Sequence, residues 1–185
     1  MKDDILIGDT PKAVRRKRRL KDLNASGRLW KHCRLSDLGG VVTEDEMRDF
    51  FVFTLVRNPW DRMVSYYYWL QDQSFEHPAV GLAQSATFSA FLNHPSTREI
   101  HDAETLDTYL QSPSGVQCCD CFVRIEHLKA DLEPVEAHLG FALAPLPHLN
   151  ASDRPTDYRA AYSDADAALV AGFYDSDIKR FGYSF

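Results

Sequence analysis

The chain has 185 residues, 44% hydrophobic, 12% aromatic and 26% charged, which suits one globular domain spanning 1–185 and excludes general disorder, collagen and coiled coil. Its net charge of −6 argues against general nucleic-acid binding. No apolar stretch approaches the length of a membrane span, and MKDDILIGDTPK lacks the basic, apolar and small-residue succession of a signal peptide, so the expectation is a soluble, cytoplasmic chain with no transmembrane segment.

In chain order, DILIG at 4–8 reads as a short strand. PKAVRRKRRLK at 11–21 then reads as a helix carrying seven of the 21 basic residues and no acid, so the rest of the chain holds 14 bases against 27 acids, a balance of −13. Such a run either meets an anion or is a solvated helix face. LWKH at 29–32 is a short extended or turn piece. Thr43 followed by Glu46 gives the capping box of a helix over 43–50.

The unalternating run FVFTLV at 51–56 predicts a strand covered on both faces. A helix is predicted from Pro59 to about Gln71, then a capped helix over 87–94, a loop-rich stretch over 95–117 with a weak helix around 104–110, and a second buried strand at 121–128. KADLEPVEAHLGF gives a helix ended by Gly140, APLPHLNAS a Pro-punctuated loop, and a last helix capped by Ser163 runs towards the C-terminus. Strands alternating with helices imply an α/β fold with a mainly parallel sheet flanked by helices. Of the four cysteines, the cluster CCDC is too tightly spaced, and too isolated, for a zinc site, and reads as reduced thiols.

The end of the first central strand carries the chemistry. Ligands of open α/β sheets gather at the carboxyl ends of strands, and the unpaired amides of a helix N-terminus favour anions. Arg57 would stand at the end of strand 51–56, Asn58 would cap the next helix, and Pro59 suits its first position. Ser65 falls one turn above Asp61 on the same helix face, so Arg57 and Ser65 could reach one phosphate. From spacing alone, Arg57 could equally be a salt-bridge partner. Trp60, Met63, Val64, Tyr67 and Gln71 mark much of a helical stripe, which makes packing a better account of the aromatics than base stacking. His127 beside Glu126 reads as a pair internal to the fold.

The stretch RNPWDRMVSYYY, 57–68, closely resembles the 3′-phosphate-binding motif of sulfotransferases that use 3′-phosphoadenosine 5′-phosphosulfate (PAPS), especially the carbohydrate 2-O-sulfotransferase type and its bacterial relatives. The resemblance implies a P-loop-like three-layer fold, PAPS as donor with adenosine 3′,5′-bisphosphate (PAP) as product, no metal, and a hydroxyl or amine of a carbohydrate-like acceptor. It also implies that Arg57 and Ser65 bind the 3′-phosphate. LWKHCRLSDL resembles the family segment bearing the catalytic base, which implies His32 in that role. LPHLNAS resembles the late loop over the nucleotide, which implies His148, Asn150 and Ser152 in the pocket, and DIKRFGYSF resembles the family's C-terminal ending.

One departure stands out. The family's P-K-T-G-T-S loop, which holds the 5′-phosphosulfate, has no counterpart here: the one Pro-Lys step, Pro11-Lys12, lacks the following Gly and hydroxyl residues. This suggests a chain that starts late or a divergent member that has lost the loop, and it keeps open a non-catalytic module that binds a nucleotide or polyanion. A P-loop kinase is disfavoured because no G-x-x-x-x-G-K-[ST] occurs. The basic run at 11–21 is placed, in sequence, to guide an anionic acceptor.

Overall fold

A computed structural model describes residues 11–30, 32–103, 105–143, 145–146 and 154–185. In chain order the elements are α1 (Pro11–Leu20), α2 (Glu44–Asp49), β1 (Phe53–Val56), α3 (Pro59–Gln71), α4 (Pro78–Ser85), α5 (Phe88–Asn93), α6 (Pro95–Ala103), α7 (Leu106–Leu110), β2 (Cys121–Arg124), α8 (Leu128–Asp131), α9 (Glu133–Leu139), α10 (Asp164–Phe173) and α11 (Asp175–Phe181). β1 and β2 pair in parallel as a two-stranded sheet. The α/β character and the parallel pairing agree with expectation. The sheet itself is far smaller among the described residues than the central sheet expected, and the strand read at 4–8 lies outside them.

Contacts divide the chain into two compact units, Met1–Thr54 with Leu106–Cys121, and Leu55–Thr105 with Phe122–Phe185. In the first, the predicted capping box forms: the Thr43 amide donates to Glu46 Oε2 at 2.8 Å and the Glu46 amide to Thr43 Oγ1 at 3.2 Å, which holds the Glu46 carboxyl below its usual range. Ser114 donates to Glu44 through its amide at 2.9 Å and its hydroxyl at 3.0 Å, tying the turn after α7 to the start of α2. Gly40 is in the left-handed region at φ 82°, where a Cβ would lie 2.1 Å from the Asn24 carbonyl oxygen, so the chain needs glycine there on two counts.

The second unit is organised by α3. Its face of Trp60, Met63, Val64, Tyr67 and Leu70 packs against Val80 and Ala83 of α4, Phe88, Phe91 and Leu92 of α5, and Val170 and Tyr174 at the end of α10. Burying each such large apolar side chain stabilises by about 1.5–3 kcal/mol. Tyr67 lies edge-on to Phe88 and donates its hydroxyl to the Ala86 carbonyl at 2.7 Å, and Gln71 donates to the Tyr67 hydroxyl at 3.0 Å. The tyrosine-rich helix is thus packing material, as its stripe predicts.

Five local readings change. The strand expected over 121–128 ends at Arg124, where a single 3-10 turn over Ile125–His127 leads into α8. β1 is not covered on both faces: Val56 is buried, but Phe53 and Leu55 are exposed at 45% and 56%, because an apolar run alone does not tell a one-faced strand from a two-faced one. The stretch after 95 holds α6 rather than loop. The helix expected up to Gly140 is interrupted between α8 and α9, since Pro134 has no N–H to offer the Ala130 carbonyl; Gly140, at φ 75°, does end it. The terminal helix divides at Tyr174, whose backbone leaves the helical region at φ −121° and ψ 28°. Its hydroxyl meets His101 Nδ1 at 2.5 Å inside the core.

Among the described residues no helix is long and apolar enough to cross a membrane, and no group of three or more His, Cys, Asp or Glu is placed to hold a metal ion. Cys118 and Cys121 are buried, Cys33 and Cys119 half-buried, and all four are free thiols.

Candidate functional site

β1 ends on buried Val56, and Arg57 and Asn58 bridge it to α3. Asn58 fixes this junction with every polar group it has. Its Oδ1 accepts from the amides of Trp60 at 3.1 Å and Asp61 at 3.4 Å, and its Nδ2 donates to the Ser184 carbonyl at 3.1 Å and the Tyr158 hydroxyl at 3.3 Å. Its own amide donates to Glu126 Oε1 at 2.6 Å. The next residue is anchored as firmly: Trp60 Nε1 donates to the Ala167 carbonyl at 2.9 Å, and the Tyr162 hydroxyl to the Trp60 carbonyl at 2.8 Å. Phe185 closes against the Trp60 and Tyr162 rings, at centroid distances of 5.6 and 5.5 Å.

This changes how the helix start can treat an anion. Two of the amides expected to be unpaired are occupied by the Asn58 cap, so an anion here depends mainly on side chains. Arg57 supplies one. Its Nε donates to Asp61 Oδ2 at 2.7 Å and its Nη2 lies 2.6 Å from the same oxygen, with the two side chains 24% and 18% exposed. The salt-bridge role left open by the sequence is therefore occupied, while the guanidinium keeps access to solvent. On the other oxygen, Oδ1, Asp61 faces Arg154 Nη1 at 2.7 Å. Ser65 is half-buried one turn further along α3, and its hydroxyl makes no hydrogen bond among the described residues.

His32 belongs to the other unit. It is exposed, its ring edge-on to Trp30 at 4.9 Å, and the Arg28 guanidinium lies 5.0 Å over the Trp30 ring. His148, Asn150 and Ser152 lie outside the described residues. Glu126, read with His127 as a pair, instead directs its carboxylate to the Asn58 amide and, at 3.3 Å, to the Tyr183 hydroxyl. Burial and this carboxylate push the Tyr183 phenol up. Arg154 and Tyr162 were not singled out from the sequence, and Glu126 was read only as the partner of His127, since each acts on residues 57–61 from tens of positions away. The only signal for Arg154 was that it follows the late loop.

The sulfotransferase family matches residues 11–184 of the chain. The chain belongs to that family. No curated protein and no solved structure matches it. The match takes in the basic helix at one end and Tyr183 and Ser184 at the other, so in this sulfotransferase-family chain Arg57 and the C-terminal residues that brace its neighbour Asn58 fall within one matched span.

Proposed function

We propose that the chain transfers a sulfuryl group from PAPS to a hydroxyl, or an amine, of a carbohydrate-like acceptor, in the manner of the carbohydrate 2-O-sulfotransferases and on a P-loop-like three-layer fold. The observation that carries this reading is Arg57, held half-buried at the strand end beside a braced helix start, with the hydroxyl of Ser65 at the next turn. Guanidinium and hydroxyl together suit a phosphate monoester, the Arg through charge-assisted forked bonds. His148, Asn150 and Ser152 complete the nucleotide pocket in this proposal.

In the reaction, the acceptor oxygen forms a bond to sulfur as the bond between sulfur and the phosphate oxygen breaks. His32 takes the acceptor proton on its imidazole, a general-base role. Positive groups offset the charge gathering on the leaving phosphate. The donor brings its own leaving group, so the proposal calls for no metal.

Calorimetric titration of the chain with PAP, and with ADP as the control lacking a 3′-phosphate, tests the site. PAP should bind selectively and Arg57→Ala should abolish the selectivity, a loss of at least about tenfold for a charge-assisted phosphate contact. Equal binding of PAP and ADP by the folded chain would refute the reading. A non-catalytic nucleotide-binding module is the second reading: the one Pro-Lys step of the sequence, Pro11-Lys12, opens the basic helix α1 and not a phosphate-holding loop. Selective PAP binding without sulfuryl transfer to any glycan acceptor would decide for it.

A further inference from the structure

We infer that Cys119 and Cys121 are a reversible, peroxide-sensitive thiol pair, a modification site at the fastening where β1 and β2 begin. The inference is independent of the nucleotide reading.

Three thiols fall within four residues, and the fold treats them differently. Cys118 is buried, and its Sγ donates backward along the chain to the Val116 carbonyl at 3.5 Å. Cys119 is half-buried, so solvent reaches it. Its Sγ points forward: the chain bends at Asp120 and brings that sulfur to 3.3 Å from the Cys121 carbonyl. Cys121, the first residue of β2, is buried. These directions select the pair. Cys119 is turned towards Cys121 and Cys118 away from both, and a bond between the adjacent Cys118 and Cys119 would strain the geometry that a disulfide requires.

The residues closed by this pair form the fastening. The amides of Asp120 and Cys121 both donate to the Val52 carbonyl, at 2.7 and 3.3 Å, and the Val52 amide donates to Asp120 Oδ2 at 2.7 Å. Val52 immediately precedes β1. A change of backbone at Asp120 therefore acts on the place where the two strands are joined.

The oxidant is hydrogen peroxide. The Cys119 thiolate attacks one peroxide oxygen, so an S–O bond forms as the O–O bond breaks, and the departing oxygen takes a proton and leaves as water. The Cys121 thiolate then attacks the Cys119 sulfur, and the S–S bond forms as the S–O bond breaks, releasing a second water. The two thiols lose two electrons and two protons, and the peroxide is reduced to two waters. A ring closed across one residue turns Cys121 out of its buried place and draws Asp120 away from Val52. Such a strained, accessible disulfide is open to reduction by a dithiol, which makes the change reversible.

The test treats the full chain with hydrogen peroxide, alkylates it and maps it by tandem mass spectrometry, alongside Cys118→Ala, Cys119→Ser and Cys121→Ala, with circular dichroism to establish folding. The unaltered chain and Cys118→Ala should each gain a Cys119–Cys121 disulfide that dithiothreitol reverses. Cys119→Ser should gain none, and Cys121→Ala should hold a sulfenic acid on Cys119 that dimedone traps. Amide exchange at Val52, Asp120 and Cys121 should be about fivefold or more faster in the oxidised chain, the loss of one net hydrogen bond, and unchanged in peroxide-treated Cys119→Ser. A disulfide that takes in Cys118 or Cys33 instead, or thiols that all stay reduced in the folded chain, overturns the inference. Oxidation that leaves amide exchange unaltered overturns the fastening role. If Cys121→Ala does not fold, the mapped bond in the unaltered chain and its loss in Cys119→Ser decide.

Discussion

The Asn58 side chain does two jobs at once, capping α3 through Oδ1 and holding the C-terminal Ser184 carbonyl through Nδ2, while its backbone amide, which any residue but proline would keep, donates to Glu126. At 9% exposure it sits where lost hydrogen bonds are not replaced by water. Asn58→Ala is expected to lower unfolding stability by about 2–4 kcal/mol, the sum of a lost cap and an unsatisfied buried acceptor. It should also release Ser184 and Phe185 to carboxypeptidase digestion. Asn58→Asp keeps the accepting oxygen but not the donor to Ser184, and sets a second carboxylate near Glu126, so it should restore the cap without restoring the tail. Urea unfolding and timed carboxypeptidase digestion check this; a tail equally protected in all three proteins would show that the Asn58 bond to Ser184 does not hold it.

Among the elements, α5 and α10 meet through one buried carboxylate. Asp166, 3% exposed, accepts from Ser89 at 3.0 Å and Asn93 at 2.9 Å on one oxygen and from Ser163, the cap of its own helix, at 2.7 Å on the other. Burial alone would raise its pKa, but the bonds from Ser163, Ser89 and Asn93 outweigh it and hold the group below its usual range. Asp166→Ala should therefore cost about 2–4 kcal/mol in urea unfolding, more than the cap mutation Ser163→Ala, because it strands two donors on α5 as well; equal costs would mean the α5 contacts contribute nothing. The Ser163 cap was legible in the sequence because capping is local, and for the same reason the bounds of α3 were read correctly from Asn58 and Pro59. α6 was not: PSTREIHDA lacks an apolar stripe, and its one signal, Pro95 at the first position, also fits a turn. The places of Arg57 after β1 and of Ser65 two turns into α3 were legible because strand end and helix start are neighbours in sequence. Glu126 lies 68 positions from Asn58 and Ser184 lies 126, and no local pattern announces contacts closed over such distances.

For the whole molecule, the titrating groups fall into two sets that act at opposite ends of the pH scale. Asp131 is the most displaced acid: Arg124 donates to it from Nε at 2.7 Å, Nη2 at 3.0 Å and the backbone at 3.0 Å, bringing its pKa from 3.8 to about 2. Asp166, Glu44 and Glu46 are also lowered. A lowered acid binds its proton more weakly in the fold than in the unfolded chain, so its contribution is complete above the ordinary carboxylate range and disappears as pH falls through the folded value. Tyr162 and Tyr183 are displaced upward, first by burial and then by neighbouring phenols and carboxylates, so their contributions are complete below about pH 10 and decline above it. The urea midpoint should therefore be flat from about pH 5 to 9, fall between 4 and 2, and fall again above 10. Asp131→Asn should flatten the acid limb below pH 4, since the neutral amide cannot lose a charge there, and Tyr162→Phe should soften the alkaline limb while leaving the acid one alone. A midpoint in Asp131→Asn that still drops as steeply as in the unaltered chain would show that the Arg124 pair is not what acid breaks.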